Sequence, residues 1–132
     1  MAPSLGGPRI LVRMELSRLI ICETGDEQVI YLKEKDGNRT FPIVIGIYEA
    51  AAIDRKIRGH KTPRPLTHDL LAGVIRDMGA HLASVVVSEL REGTFYAKLV
   101  LDRDGASTEI DCRPSDAIAL AIATGAPIFV DE

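Results

Sequence analysis

The sequence predicts a single α+β domain in which an antiparallel or mixed β-sheet is combined with three helices. Several stretches alternate apolar and polar residues next to turn signals, which is typical of strands with one buried face. Other stretches space their apolar residues with the period of a helix. Because the strands come in runs broken by helices, without strict βα alternation, an α+β fold is favoured over a doubly wound sheet.

The first half of the chain is predicted to contain three strands. Val12–Cys22 and Gln28–Lys35 are rich in branched residues, and Asp36-Gly37 between the second and third strands is a strong hairpin signal. Phe41–Ile45 alternates as a third strand. Since Pro42 has no amide hydrogen to donate, we expect this strand to lie at a sheet edge or to carry a bulge.

Three helices are predicted from the helical spacing of apolar residues and from the residues typical of helix starts and ends. The first is amphipathic, covers Ile47–Arg58 and ends at Gly59. The second has Thr67 as its N-cap and a broad apolar face made of Leu70, Leu71, Val74, Ile75 and Met78. The third runs from Pro114 to about Thr124 and is apolar all round, which predicts burial within the domain or at a subunit interface.

The second half repeats the order of the first, which indicates a duplicated hairpin–strand–helix unit. Strands are predicted at Ser84–Leu90, Phe95–Leu101 and Thr108–Cys112, with a last short one at Pro127–Val130. An Asp-Gly turn, a strand and a helix follow one another in both halves. Glu49-Ala50 and Asp116-Ala117 then fall at matching places, 67 residues apart.

Composition excludes several classes of protein. The chain has 132 residues, 46% of them apolar and 27% charged, as in an ordinary globular domain. We expect residues 1–8 to form a flexible N-terminal segment and 9–132 a single domain. A net charge of −3 argues against binding of nucleic acid through the overall charge of the protein, but it is compatible with a local basic patch. No signal peptide or membrane span is evident, so we expect a cytoplasmic protein.

Three acidic residues fall in first turns of predicted helices, namely Glu49, Asp69 and Asp116. A carboxylate there can simply cap its own helix and complement the helix dipole. Alternatively some of the three converge, with Asp54 or Asp111, to hold Mg²⁺ or Mn²⁺ in an oxygen-rich site. No motif for an organic cofactor is present, and two cysteines are too few for a four-cysteine zinc site.

Histidine and basic residues supply the other candidate groups. Either His60 or His68 could act as a general acid or base, and His68 could instead be a partly buried packing residue. Five of the 16 basic residues lie within ten positions, either as a solvated helix face or as a phosphate-contacting patch: Arg55, Lys56, Arg58, Lys61 and Arg64. Arg113, just before the third helix, could meet a phosphate at that helix's N-terminus.

Several strings together resemble the bifunctional nuclease domain family. They occur in the family's order and span nearly the whole chain: Phe41–Gly46, Glu49–Ala50, Pro63–Leu71, Gly93–Ala97, Arg113–Ile118 and Thr124–Val130. The resemblance implies a compact α+β domain, often oligomeric, and a nuclease activity toward DNA and RNA as described for plant relatives. The motif positions that carry over are Glu49, Arg64, His68, Asp69, Arg113, Ser115 and Asp116.

The leading hypothesis is a divalent-metal-assisted nuclease acting on DNA and RNA. Glu49, Asp69 and Asp116 would hold the metal, and His68 would be the general acid or base. Phosphate would be bound by a group of basic and polar side chains, Arg64, Lys61, Arg113 and Ser115. One alternative is a non-catalytic homo-oligomeric module that binds nucleic acid or an anionic metabolite. Another is a purely structural interaction domain.

Overall fold

A mixed sheet with three helices makes up the part of the chain that the computed structural model describes, residues 10–22, 25, 27–89 and 94–131. The strands are β1 (Leu11–Ile20), β2 (Glu27–Glu34), β3 (Thr40–Gly46), β4 (His81–Glu89), β5 (Phe95–Arg103), β6 (Ala106–Cys112) and β7 (Ile128–Asp131). The helices are α1 (Ile47–Ile57), α2 (Thr67–Asp77) and α3 (Pro114–Thr124). The α+β prediction is confirmed, while the segment 1–8 predicted to be flexible lies outside the described residues.

The sheet order shows the repeated unit directly. Seven described strands lie in the order β3-β2-β1-β7-β4-β5-β6. In each half, three consecutive strands form an antiparallel meander that runs straight into a helix, α1 after β3 and α3 after β6. β7 pairs antiparallel with β1 and parallel with β4, so the two meanders run in opposite directions on either side of it.

The core lies between one face of the sheet and the helices. Alternate strand residues such as Ile30, Ile43 and Val85 are buried there against Ala50 and Ile53 of α1. α3 packs between α1 and α2 and against β4 and β5, which explains its continuous apolar sequence. Its residues Ser115 and Ala117–Ala121 are buried. Of the two predicted locations for this helix, the interior of the domain is therefore the one observed.

The edge position of β3 agrees with its proline. β3 is the outermost strand on its side of the sheet, where Pro42 pairs with Tyr31 of β2. An edge strand needs hydrogen bonds on one side only, so a residue without an amide hydrogen is tolerated there. The edge strand predicted from Pro42 is confirmed.

Helix α2 departs from the prediction in two respects. The helix begins at Thr67 and its N-cap residue is Leu66, so Thr67 does not act as the N-cap. None of its residues is buried, and Leu70 and Met78 are 61% and 62% exposed. The apolar face predicted for this helix therefore lies on the surface, because periodicity indicates which side of a helix is apolar but not whether another element covers it.

None of the described helices is long and apolar enough to cross a membrane.

Candidate functional site

Each of the three helices carries its acidic residue at the third helical position. Glu49 is third in α1, Asp69 third in α2 and Asp116 third in α3. From this position a carboxylate can reach back to the unpaired amides at the start of the helix. The 67-residue spacing of Glu49 and Asp116 thus corresponds to equivalent places in the two repeated units.

Asp69 has the structural role that the capping alternative predicts. Its Oδ2 accepts a hydrogen bond from the backbone N–H of Leu66 at 3.0 Å, which caps α2. Its Oδ1 forms an ion pair with Nζ of Lys56 on α1. One carboxylate oxygen therefore caps α2, and the other holds the start of α2 against α1.

Asp116 instead connects two other side chains. Its Oδ1 lies 3.0 Å from Nε2 of His68 on α2. Arg113, the residue just before α3, donates to the same carboxylate from Nε to Oδ2 at 2.9 Å and from Nη2 to Oδ1 at 3.3 Å. The carboxylate of Asp116 thus holds both an imidazole and a guanidinium group in place.

Glu49 completes this network from the other repeated unit. Its Oε2 accepts a hydrogen bond from Nη1 of Arg113 at 3.3 Å. Its Oε1 lies so close to Gly46 that a methyl group at position 46 would overlap it. The guanidinium of Arg113 is therefore held between the carboxylates of Glu49 and Asp116, while its side chain remains 64% exposed.

The charge state of Asp116 follows from these contacts. Burial alone would raise the pKa of Asp116, but the hydrogen bonds and charges of Arg113 and His68 outweigh it and bring the pKa below its usual value. The hydrogen bond and charge of Asp116, together with Glu49, raise the pKa of Arg113. An ionised carboxylate can only accept hydrogen bonds, so Nε2 of His68 carries the hydrogen of this contact. In the neutral ring, Nδ1 then has a free lone pair.

These side chains line a cleft of about 380 Å³, which we call the charged cleft. It is lined by Tyr48, Glu49, Ala51, Ala52, Arg55 and Lys56 from α1, by Leu66, Thr67, His68 and Asp69, and by Arg113 and Asp116. Its three carboxylates are matched by three cationic side chains, so the cleft as a whole has little net charge. Glu49 and Arg113 also line an adjoining groove of about 360 Å³ along β3, with Phe95 and Ser115 on its walls.

The candidate residues are thus partly brought together. Glu49, His68, Asp69, Arg113 and Asp116 line the charged cleft, but Lys61 and Arg64 are exposed in the loop between α1 and α2 and do not line it. Ser115 is 6% exposed and faces the adjoining groove. A phosphate-binding role for Lys61, Arg64 and Ser115 stays a prediction.

Sequence reasoning did not single out Tyr48, which lines the same cleft directly before Glu49. The ring is 84% exposed, and it is the most exposed of the large apolar and aromatic side chains among the described residues. Its position in the first turn of α1, next to a motif acid, was the signal that could have marked it.

The carboxylates do not form the predicted three-acid metal site in this arrangement. Among the described residues, no group of three or more His, Cys, Asp or Glu side chains is placed to hold a metal ion. Asp69 is turned toward Lys56, and Arg113 lies between Glu49 and Asp116. The positive charge that these acids meet is supplied by the protein's own side chains. A role for Mg²⁺ or Mn²⁺ stays a prediction.

Cys112 lies at the end of β6 next to Arg113 and does not line the charged cleft. Burial, with the negative charges of Asp116 and Asp111, raises the pKa of the thiol to about 11. Because the thiolate is the reactive form, Cys112 is almost entirely inactive as a nucleophile near neutral pH. The chemistry of the charged cleft therefore depends on its oxygen and nitrogen groups.

The fold and the cleft define a small α+β domain whose three helix starts line one charged cleft. The family model of the bifunctional nuclease domain matches residues 30–132, so the chain belongs to that family. An uncharacterized protein of Mycobacterium tuberculosis is 45% identical over 107 residues, which are 81% of this chain and 63% of that protein. The rice protein called bifunctional nuclease 2 is 30% identical over 114 residues, 83% of this chain and 35% of the rice protein.

A second rice protein, bifunctional nuclease 1, is 26% identical over 114 residues, which are 83% of this chain and 34% of the rice protein. The chain thus spans less than two thirds of the mycobacterial relative and about a third of each rice protein. The motif acids Glu49, Asp69 and Asp116 and the motif arginines Arg64 and Arg113 all lie inside the matched segment.

Proposed function

We propose that the chain is a nuclease that hydrolyses phosphodiester bonds in DNA and RNA. The observation that carries this proposal is the connected set His68–Asp116–Arg113–Glu49, which places a proton-transfer group beside an exposed guanidinium in one cleft. Family membership and the two rice proteins called bifunctional nucleases support the same activity.

His68 is the proton-transfer group in this proposal. The ionised Asp116 fixes the ring by accepting the hydrogen of Nε2, and Nδ1 can then take a proton from an attacking water. The carboxylate also stabilises the imidazolium that forms, as an orienting acid does for the histidine of a hydrolase. After bond cleavage, the protonated ring can return the proton to the leaving oxygen.

Arg113 is the phosphate-binding group. A guanidinium has five N–H donors, and the hydrogen bonds to Glu49 and Asp116 use three of them. One of the two that remain is on Nη1 and the other is on Nη2, and each can donate to a phosphate oxygen. The carboxylates therefore position Arg113 without consuming its capacity to bind an anion.

Assistance by Mg²⁺ or Mn²⁺ remains part of the proposal, although the side chains as arranged do not form a three-acid site. The supporting observation is the balance of three carboxylates and three cations in the cleft, which leaves little positive charge for a polyanion. Cleavage that is unchanged by chelation with EDTA would remove the divalent cation from the mechanism.

The direct test is cleavage of labelled single- and double-stranded DNA and RNA by protein purified to homogeneity. We expect His68→Ala and Asp116→Ala to lose activity, with Asp54→Ala as the matched control. Asp54 pairs with Arg58 on the exposed side of α1 and does not line the cleft. Equal cleavage by all three variants would mean that a contaminating nuclease is responsible and would contradict the proposal.

The alternative is a module that binds nucleic acid or an anionic metabolite without turnover. It is favoured by the geometry of Arg113, whose two remaining donors suffice for binding an anion. Binding that Arg113→Ala abolishes, in a protein that cleaves no substrate with or without Mg²⁺ or Mn²⁺, would establish it in place of the nuclease. In either case we expect a cytoplasmic protein.

We also propose that the protein forms a homo-oligomer through an exposed apolar surface of α2. Leu70, Val74 and Met78 recur every four residues, so they form one exposed apolar stripe that a second α2 could match. We expect Val74→Lys to shift the mass measured by light scattering to that of the monomer. The control is Arg76→Lys on the polar side of the same helix. A monomeric wild-type protein would contradict the proposal.

A further inference from the structure

Tyr48 lies outside the buried face of α1. The buried residues of α1 are Ala50 and Ile53, so the helix is anchored to the core on another side. Large aromatic side chains normally bury most of their surface, yet this ring is 84% exposed. Alanine has a higher helix propensity than tyrosine, so the ring contributes little to α1 itself.

The ring of Tyr48 lines the same cleft as the phosphate-binding group of the proposed site. Tyr48 and Arg113 line the same cleft, and the residue after Tyr48 is Glu49, whose carboxylate holds Arg113. An aromatic face and a guanidinium in one cleft offer the two contacts that a nucleotide needs, one for the base and one for the phosphate.

The other tyrosines have different surroundings. Tyr31 lies under the guanidinium of Arg18, 4.9 Å from the ring centroid. Tyr96 lines a separate groove with Lys98 and Glu109 on the uncovered face of the sheet. Tyr48 is thus the tyrosine that shares a cleft with His68 and Arg113.

We propose that Tyr48 is a base-stacking platform and that the substrate of the charged cleft is nucleic acid with an unpaired base. This inference rests on the proposed nucleic-acid substrate. The charges of the cleft nearly balance, so phosphate attraction alone gives a weak hold and stacking supplies affinity. In a duplex both faces of a base are covered by its neighbours, so only single strands, loops and frayed ends can present a face to Tyr48.

Binding is measured first, in a His68→Ala background so that the probe stays intact. The probes are a 12-nucleotide single strand that carries one 2-aminopurine and the same sequence as a duplex. Tyr48→Ala is expected to weaken single-strand binding by about 5- to 150-fold, the range for loss of one stacked base, and to affect the duplex much less. Tyr48→Phe keeps the aromatic ring and is expected to bind the single strand as tightly as the protein that retains Tyr48.

The fluorescence of 2-aminopurine reports stacking directly. It is expected to be quenched by proteins with Tyr48 or Tyr48→Phe and not by Tyr48→Ala. Tyr96→Ala is the matched control and is expected to leave both affinity and quenching unchanged. Equal single-strand affinity in Tyr48→Ala, or an equal loss for single strand and duplex, would overturn the inference.

The same protein separates this inference from the proposed nuclease activity. If wild-type protein binds single strands through Tyr48 but cuts none of them, the nuclease proposal fails and the base site stands. If wild-type protein cuts and Tyr48→Ala cuts single strands with unchanged kcat/KM, the base site fails and the nuclease proposal stands.

Discussion

His68 and Asp116 lie 48 positions apart in the sequence, and a 3.0 Å hydrogen bond joins Nε2 of the first to Oδ1 of the second. The contact crosses from α2 to α3, so it exists only because those helices pack together. Because the same carboxylate holds Arg113, a change at either end of this bond is expected to alter the geometry of the whole cleft.

Replacement of His68 tests the proton transfer. We expect His68→Ala to lower kcat for cleavage of a labelled oligonucleotide by about 10²- to 10⁴-fold, the usual contribution of a general acid or base. His60→Ala is the control, because His60 is exposed in the loop after α1 and does not line the cleft. Equal loss in both variants would show that the effect is not specific to the Asp116-bound ring.

Arg113 tests the phosphate contact. We expect Arg113→Ala to lower kcat/KM by about 10²-fold, the scale found when one positioned donor is removed from a transition state. Arg113→Lys should restore only part of it, because an ammonium cannot contact two carboxylates and a phosphate in the planar geometry of guanidinium. Arg76→Ala is the control, because Arg76 pairs with its neighbour Asp77 on the surface. Full activity in Arg113→Lys would contradict the forked contact.

Gly46→Ala tests whether the position of Glu49 matters. The backbone at Gly46 is extended, with φ −80° and ψ 166°, so alanine fits the chain conformation there. The new methyl group would overlap Oε1 of Glu49 and displace the carboxylate that holds Nη1 of Arg113. We expect kcat/KM to fall by about tenfold while the melting temperature changes little. An unchanged kcat/KM would show that Glu49 has no positioning role.

Gly73→Ala is the matched variant in α2 and is expected to stabilise the protein. Gly73 lies inside the helix, and an added methyl group would meet Nη2 of Arg76 at 3.5 Å, an ordinary contact. Alanine is favoured over glycine in a helix interior by about 1 kcal/mol. Urea unfolding should show the gain, with cleavage unchanged. A loss of stability would mean that the α2 backbone is constrained by contacts other than these.

Asp116 should make stability depend on pH in a defined direction. Its pKa is lower in the folded chain than the ordinary 3.8, so its contribution is present above that pH and is lost as pH falls through the lower folded value. We expect Asp116→Asn to lower the unfolding free energy at pH 7 by about 1 kcal/mol, and this difference to shrink below about pH 4. A difference that is constant from pH 7 to pH 3 would indicate lost packing and not lost charge.

Much of the fold could be predicted because its signals are local. The alternating strands, the Asp-Gly turns, the edge placement of Pro42 and the all-apolar α3 are patterns of neighbouring residues, and the structure confirms them. Exposure of the α2 face could not be predicted, because it depends on what packs beside the helix. Leu66 as the N-cap was missed because Thr67 is itself of a type favoured at that position, whereas the capping oxygen comes from Asp69.

The sequence by itself determined the element order, the repeated unit, the family and the chemical types of the site residues, because each follows from short runs of neighbouring residues. The tertiary structure alone decided which acids act together. Glu49, Asp69 and Asp116 occupy equivalent helix positions, yet Asp69 caps α2 and binds Lys56, while Glu49 and Asp116 hold Arg113. The strength of a charge pair falls with distance, and distances between residues on different helices are set by packing. The same packing left Tyr48 exposed in the cleft that Arg113 also lines.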